Sequence, residues 1–121
     1  MRILTLHCDY IRFKAVKKAL KDAEELSEAD KKEKEVRECL VVLTSIEDGD
    51  NNNTIKQLVE AVSKTASEVK TSNIVLYPYA HLSSSLAKPA VALELLKEAE
   101  SQFKKKFKTT RAPFGYYKEF E

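Results

Sequence analysis

Several residue types are scarce in this chain of 121 residues, and their scarcity excludes whole classes of protein. Two glycines, three prolines and no tryptophan exclude a collagen-like repeat and a Gly/Pro-rich disordered chain. The two cysteines, Cys8 and Cys39, are too few for a disulfide scaffold, so we expect a reducing compartment, the cytoplasm. No run approaches the roughly 20 apolar residues that cross a bilayer, and the opening MRILTLHCDY lacks the apolar region of a secretory signal.

An excess of charge of one sign is also missing. Lys and Arg number 21 against 19 Asp and Glu, so any nucleic-acid binding must come from a local patch. Five basic residues lie close together near the end of the chain: Lys104, Lys105, Lys106, Lys108 and Arg111. They fit a phosphate-contacting surface, and they equally fit the end of a helix, where basic side chains are favoured. Charge alone favours the helix end.

The apolar fraction, 43%, is sufficient for one domain core, and its patterning predicts strands in the first half of the chain. Segments 2–7 and roughly 11–18 alternate polar and apolar residues, which predicts two strands. Residues 21–35 are highly charged and predict an exposed connection or hairpin tip. The β-branched apolar run at 36–47 predicts a central strand that is buried on both faces.

Two helices are predicted in the second half. Residues 48–53, with sequence DGDNNN, predict a turn, and Thr54 follows at the expected N-cap of a helix. Apolar residues recur with helical spacing over 55–70, which predicts an amphipathic helix there. A second helix is predicted over about 90–105, with Pro89 in its first turn.

Two further strands complete the predicted fold. Residues 73–77, with sequence NIVLY, predict a strand that ends at Pro78. Residues 107–120 predict a short final strand that is broken by Pro113 and Gly115. The resulting order, ββ-β-α-β-α-β, predicts an α/β or α+β fold with two helices packed on one mixed sheet.

The inventory of reactive residues supports neither a metal site nor a covalent nucleophile. The two His and two Cys residues form no CxxC, HxxxH or HExxH spacing, and two glycines cannot supply a phosphate-binding loop. Cys39 lies in the most apolar segment and is expected to be a small core residue. His7 and Cys8 are neighbours on a predicted strand, where adjacent side chains point to opposite faces, so they cannot form a dyad.

Two segments are unusual enough to suggest a functional site. Residues 77–88, with sequence YPYAHLSSSLAK, leave a strand end for a loop, which is where open sheets bind ligands. Residues 112–118, with sequence APFGYYK, combine aromatic walls, a glycine and a lysine. Each segment also has an ordinary explanation. The first is then a connection with a partly buried His81, and the second is an aromatic edge strand.

Together these segments resemble a known family. LHCDY at the start, YPYAHLSSSLAKP and APFGYYK resemble, in order, the N-terminal editing domain of archaeal threonyl-tRNA synthetase. The resemblance implies a D-aminoacyl-tRNA deacylase-like fold and a homodimer that hydrolyses seryl-tRNA(Thr), spares threonyl-tRNA(Thr) and needs no cofactor. The implied partners are the 3′ end of tRNA(Thr) carrying serine and the catalytic and anticodon-binding domains of the same synthetase. Two alternatives remain open: a D-aminoacyl-tRNA deacylase of broader specificity, and a non-catalytic tRNA-binding or dimerisation module.

The resemblance also implies roles for individual residues. Lys118, His81 and Tyr117 match positions that serve catalysis or serine selection, with Lys118 orienting the water and supporting the developing oxyanion. The 2′-hydroxyl of the RNA assists proton movement. Residues expected to hold or line the substrate are Ile46, Glu47, Pro78, Ala80, Phe114 and Tyr116.

The resemblance further implies that residues 1–121 are a single editing domain excised from a longer synthetase. The family continues beyond Glu121 with a segment that includes a functional acidic residue. Neither Glu119 nor Glu121 matches that residue by motif, so we expect the activity of this chain to be reduced.

Overall fold

The computed structural model describes residues 1–21 and 23–121. The strands and helices of this part of the chain are β1 (Arg2–Lys18), β2 (Lys34–Ser45), α1 (Asn52–Val69), β3 (Asn73–Pro78), α2 (Pro89–Lys104), β4 (Lys108–Arg111) and β5 (Tyr116–Phe120). A short 3-10 turn, Ala80–Leu82, separates β3 from α2. Within these residues, no helix is both long and apolar enough to span a bilayer.

All strands belong to one mixed sheet in the order β4-β3-β2-β1-β5. β1 runs antiparallel to β2 and to β5, whereas β2, β3 and β4 are parallel to one another. The parallel pairs need crossovers, and α1 and α2 supply them. The predicted arrangement of two helices on one mixed sheet is therefore confirmed.

The two faces of the sheet carry two separate apolar clusters. Alternate residues of β2 and β3, such as Val42 and Leu76, pack beneath α1 and α2 together with Phe103. The intervening residues, such as Val41 and Tyr77, pack on the opposite face with residues of β1. β2 is thus buried on both faces over 39–45, as predicted, but its first residues, 34–38, are only partly covered.

The prediction of two separate strands at 2–7 and 11–18 is wrong, because β1 is continuous over 17 residues. A single antiparallel ladder pairs β1 with β2 from Arg2 to Phe13. Pairing is interrupted only at Asp9, which lies opposite Glu38, and Glu38 has a positive φ of 44°. This local irregularity disturbs the alternation of side chains without ending the strand. The charged segment predicted at 21–35 as a connection overlaps β2 at its last two residues, 34–35, and its preceding residues lie between β1 and β2; residue 22 lies outside the described residues.

The N-cap of α1 is Asn51, and the prediction of Thr54 is wrong. The Asn51 side chain accepts hydrogen bonds from the backbone N–H groups of Asn53 and Thr54, at 2.9 and 3.3 Å. The Thr54 hydroxyl in turn accepts from the Asn51 N–H at 3.1 Å, so Thr54 is the third residue of a capping box. α2 begins at Pro89, as predicted, because proline needs no hydrogen-bond partner in the first turn.

The single final strand predicted at 107–120 is also incorrect. β4 and β5 occupy opposite edges of the sheet, beside β3 and β1 respectively. The chain reverses between them through Pro113 and Gly115, and Gly115 has a φ of 81°. A Cβ at Gly115 would lie 2.9 Å from Ala23, so both the conformation and the close approach require glycine.

Candidate active site

Lys118 lies on β5 with its ammonium turned inward. Its Nζ donates to the carbonyl oxygen of Pro113 at 2.8 Å and lies 3.4 Å from that of Tyr116. The ammonium also sits 4.9 Å from the centre of the Tyr77 ring on β3, an attractive cation–π arrangement. Burial lowers the pKa of Lys118 to about 8, and the charge of Glu24 opposes part of this effect. The ammonium is therefore partly desolvated and held in one place.

Tyr77 forms the wall behind this lysine. It is buried, and its ring packs edge-on against Phe13 at 5.9 Å and near Phe120 at 5.7 Å between centroids. Burial raises the pKa of the Tyr77 hydroxyl to about 12, so this side chain stays neutral. The sequence marked Tyr77 as the last residue of a strand and the first of the candidate segment 77–88, and nothing in its spacing indicated a contact with Lys118.

Pro78 and Ala80 lie where β3 ends, beside the end of β2. The Tyr79 N–H donates to the Thr44 carbonyl at 2.9 Å, and the Ser45 hydroxyl donates to the Tyr79 carbonyl. These bonds fix the backbone immediately after the buried Pro78 and leave Ala80 exposed at the surface. The arrangement presents main-chain groups at the carboxyl end of parallel strands, where ligands commonly bind.

His81 is exposed in the 3-10 turn and is not the partly buried histidine of the ordinary explanation. Its ring stacks edge-on against Tyr79 at 5.1 Å between centroids. Tyr77, on β3, belongs to the apolar cluster on the face opposite the helices, and Tyr79, just after β3, packs against the same cluster, so both tyrosines lie on one face of the sheet. His81 contacts Tyr79 and Lys118 contacts Tyr77, so His81 and Lys118 lie on the same side of the sheet.

Glu47 organises the loop instead of presenting an unoccupied carboxylate. Its Oε1 accepts from the Met1 amino group at 2.8 Å, and its Oε2 accepts from the Ser83 hydroxyl at 2.6 Å. These two hydrogen bonds hold the pKa of Glu47 below its usual value. Since both oxygens are engaged, the contacts of Glu47 tie the loop after β3 to the end of β2.

Ile46 and Phe114 direct their side chains into the protein. Ile46 is buried in the cluster beneath the helices, and its carbonyl accepts from the Ala87 N–H at 3.0 Å. Phe114 is partly buried and packs against the same cluster. Either residue would therefore contribute to a substrate site through its backbone or through the shape of the adjoining wall.

Tyr116 and Tyr117 point in different directions from β5. The Tyr116 hydroxyl donates to the backbone carbonyl of Glu24 at 2.8 Å, so this side chain anchors the connection between β1 and β2. Tyr117 is 57% exposed, and Lys17 lies 5.4 Å from its ring centre. Of the two, Tyr117 has the more exposed side chain.

A buried ion-pair network lies beside this segment. The Arg111 guanidinium donates through Nη1 and Nη2 to the Glu24 carboxylate at 2.6 and 3.1 Å, and through Nε to Glu100 at 2.9 Å. Burial by itself would lower the pKa of Arg111, but the bonds to both carboxylates raise it. Arg111 therefore does not belong to an exposed basic patch, and Lys104 also pairs with Glu100 at 3.1 Å. The helix-end interpretation fits Lys104, in the last turn of α2, whereas Arg111 lies on β4.

Sequence reasoning missed Glu24. It lies in a charged connection without periodicity, 87 residues from its partner Arg111, and both side chains are only 12% exposed. A cavity of about 280 Å³ adjoins the network, but its lining includes neither His81 nor Lys118. Among the described residues, no group of three or more His, Cys, Asp and Glu side chains is arranged to hold a metal ion.

The family model and the curated relatives that this chain matches agree on one family. A family model described as the archaea-specific editing domain of threonyl-tRNA synthetase matches residues 1–121. Threonine–tRNA ligases of Methanobrevibacter smithii and Thermococcus sibiricus are 49% and 47% identical over 125 aligned residues. Both matches span 100% of this chain but only 20% of the relative, so the chain covers about a fifth of these ligases.

A solved structure shows the same fold at much lower sequence similarity. The c-Myc DNA Unwinding Element Binding Protein matches with a TM-score of 0.77 and 9% identity, over 100% of this chain and 90% of that chain. This likeness concerns the fold alone and agrees with the D-aminoacyl-tRNA deacylase-like fold that the resemblance implied. The family match over the full length is the decisive finding, and by it the chain belongs to the archaea-specific editing domains of threonyl-tRNA synthetase.

Proposed function

We propose that this domain hydrolyses the ester of seryl-tRNA(Thr) and leaves threonyl-tRNA(Thr) intact. A synthetic site built for threonine cannot strongly exclude serine, because one methyl group is worth only about 1–3 kcal/mol of discrimination. A second, hydrolytic site removes the mischarged product. Membership of the editing-domain family supports this proposal, and the environment of Lys118 is the observation that carries it.

The chemistry asks little of the protein. In the hydrolysis, the oxygen of a water molecule attacks the ester carbonyl carbon, and the bond to the terminal ribose oxygen breaks. The water's proton passes to the ribose oxygen, which leaves serine and a free 3′ end. An ester is already activated, so a positioned water and an electrostatic partner for the developing oxyanion are sufficient.

Lys118 is the group that we assign to the oxyanion. A pKa of about 8 leaves the ammonium mostly protonated at neutral pH, and partial burial strengthens its field compared with a solvated lysine. Two carbonyl contacts and the face of Tyr77 hold it in position before the substrate arrives. A preorganised charge of this kind is the usual source of the largest single contribution to ester hydrolysis.

The remaining residues fall into supporting roles. We assign the main chain around Pro78 and Ala80, with the backbone of Ile46, to the terminal adenosine and aminoacyl group. His81 and Tyr117 are both exposed, and we assign them to the amino-acid pocket, where the extra methyl of threonine must be sensed.

We also propose that two copies associate through β1. In the described part of the chain, β5 and Glu121 cover one side of β1 only from Arg12 onward, so the edge from Arg2 to Ile11 is unpaired. Three apolar side chains on this stretch are exposed, namely Ile3, Leu4 and Leu6. A long edge with exposed apolar residues favours strand pairing, and a second copy is the occupant that satisfies both features.

In the cell, the domain would act in the cytoplasm beside the catalytic and anticodon-binding domains of the same synthetase. The fact that the chain covers about 20% of related ligases supports such a context. The non-catalytic alternative predicts salt-dependent tRNA affinity without ester cleavage. The broader deacylase alternative predicts cleavage of D-seryl esters.

A single-turnover experiment tests the proposal. With enzyme in excess over seryl-tRNA(Thr), Lys118→Met should lower the rate of ester loss by about 100-fold to 1,000-fold, with little change in tRNA affinity. Lys14→Met, an exposed lysine on β1, is the matched control and should behave like the wild type. A wild-type rate in Lys118→Met would remove Lys118 from the mechanism.

A further inference from the structure

Glu24 and Lys118 contact opposite ends of the same peptide group. The peptide that joins Pro113 to Phe114 presents its carbonyl oxygen to the Lys118 ammonium at 2.8 Å. Its N–H, on Phe114, donates to Oε1 of Glu24 at 2.8 Å. The bond is trans, so the N–H and the carbonyl point in opposite directions. One peptide group therefore connects a carboxylate to the ammonium.

From this geometry we infer that Glu24 is a positioning residue for Lys118 and acts through the Pro113–Phe114 peptide. The inference rests on the proposed role of Lys118 in hydrolysis. Glu24 does not contact Lys118 directly, and its place is in the connection between β1 and β2, outside the segments that suggested a site from the sequence.

The contacts around Glu24 explain why it is suited to this task. Arg111 holds the carboxylate from the other side with two hydrogen bonds, which fixes both oxygens. The Tyr116 hydroxyl donates to the Glu24 carbonyl, so the backbone of Glu24 is anchored as well. The carboxylate thus stays in place and keeps the peptide turned with its oxygen toward the lysine.

Charge adds to this geometric effect. A hydrogen bond from the Phe114 N–H to a carboxylate polarises the peptide and makes its carbonyl oxygen a better acceptor. The ionisable groups facing the ammonium are Glu24, from the β1–β2 connection, and Tyr77, from β3. Because Tyr77 is neutral over the working pH range, Glu24 is the group whose removal should change the titration of Lys118.

The test compares Glu24→Gln with Glu100→Gln. Both variants remove one carboxylate that pairs with Arg111, but only Glu24 also accepts from the Phe114 N–H. Glutamine has one acceptor oxygen, so it cannot serve Phe114 and both Arg111 donors as the carboxylate does. The readouts are the titration of the Lys118 side chain, followed by NMR on lysine labelled with 13C at Cε, and single-turnover hydrolysis of seryl-tRNA(Thr).

In Glu24→Gln we expect the pKa of Lys118 to fall below its wild-type value and hydrolysis at pH 7 to slow by about 10-fold to 100-fold, with tRNA affinity unchanged. In Glu100→Gln both quantities should stay near the wild type. Because loss of one partner from a buried ion pair can unfold a protein, Glu24→Leu combined with Arg111→Met serves as a second variant that removes both charges. It should show the same fall in the Lys118 pKa.

An unchanged Lys118 titration in the folded variants would overturn the inference, as would an equal fall in Glu100→Gln. The NMR titration does not depend on hydrolysis, so it separates this inference from the proposed function. If the wild type fails to hydrolyse seryl-tRNA(Thr), the proposed function fails. The fall in the Lys118 pKa would then still support the link to Glu24, and its absence would still refute it.

Discussion

Replacement of Lys118 by methionine should stabilise the folded domain at neutral pH while it removes hydrolysis. Burial lowers the pKa of Lys118 from 10.5 to about 8, and each pH unit corresponds to about 1.4 kcal/mol, so the buried charge costs about 3 kcal/mol of folding free energy. Methionine leaves the carbonyls of Pro113 and Tyr116 without this donor, which costs roughly 1 kcal/mol. The net gain is about 2 kcal/mol, or about 8 °C in Tm for a domain of this size.

The pH dependence of this gain has a definite sign. Below pH 8 Lys118 is protonated in both the folded and the unfolded chain, so the cost of burying its charge is present in full. Between pH 8 and 10.5 the folded protein releases the proton while the unfolded chain keeps it, so the wild type gains stability with rising pH. The advantage of Lys118→Met should therefore shrink over this interval and disappear above it.

Thermal unfolding at several pH values measures this effect. Lys14→Met is again the control, because Lys14 is exposed on β1 and its replacement relieves no burial. A Tm of Lys118→Met equal to or below that of Lys14→Met at pH 7 would refute the reasoning. So would a difference between Lys118→Met and the wild type that does not depend on pH.

Three other outcomes are expected. His81→Ala should mainly reduce the preference for serine over threonine, measured as the ratio of single-turnover rates on the two esters; an unchanged ratio would remove His81 from selection. EDTA should leave hydrolysis unchanged, and loss of activity that zinc restores would contradict the cofactor-free mechanism. Leu4, 47% exposed on the unpaired edge of β1, should be needed for association, so Leu4→Glu should sediment as a monomer where the wild type sediments as a dimer at micromolar concentration. A wild type that is only monomeric under the same conditions would exclude the proposed interface.

Periodic apolar segments made the central part of the fold predictable. The α1 and α2 helices and the buried strands β2 and β3 follow from spacing alone, because each buries a continuous apolar face. β1 was harder, since most of its side chains are exposed and its continuity depends on pairing with β2. The separation of β4 from β5 was not predictable, because the edge on which each strand lies depends on partners distant in sequence.

The residues of the candidate site were likewise predictable only in part. Lys118, His81 and Tyr117 were predicted through a resemblance carried by local strings of residues, and the structure places Lys118 and His81 on the side of the sheet that presents Tyr77 and Tyr79. Glu24 could not be predicted, because its proposed role comes from contacts with residues near the other end of the chain. Long-range side-chain contacts of this kind leave no periodic signal in a single sequence.

The central claim is the discrimination between two esters, and one measurement tests it directly. This chain should be incubated, in excess, with seryl-tRNA(Thr) and threonyl-tRNA(Thr), and with D-seryl-tRNA(Thr) as a third substrate, and the loss of each ester followed with time. We predict rapid loss of the L-seryl ester, with the threonyl ester disappearing no faster than it does without protein. Equal loss of the seryl and threonyl esters, or loss of the D-seryl ester alone, would contradict the account.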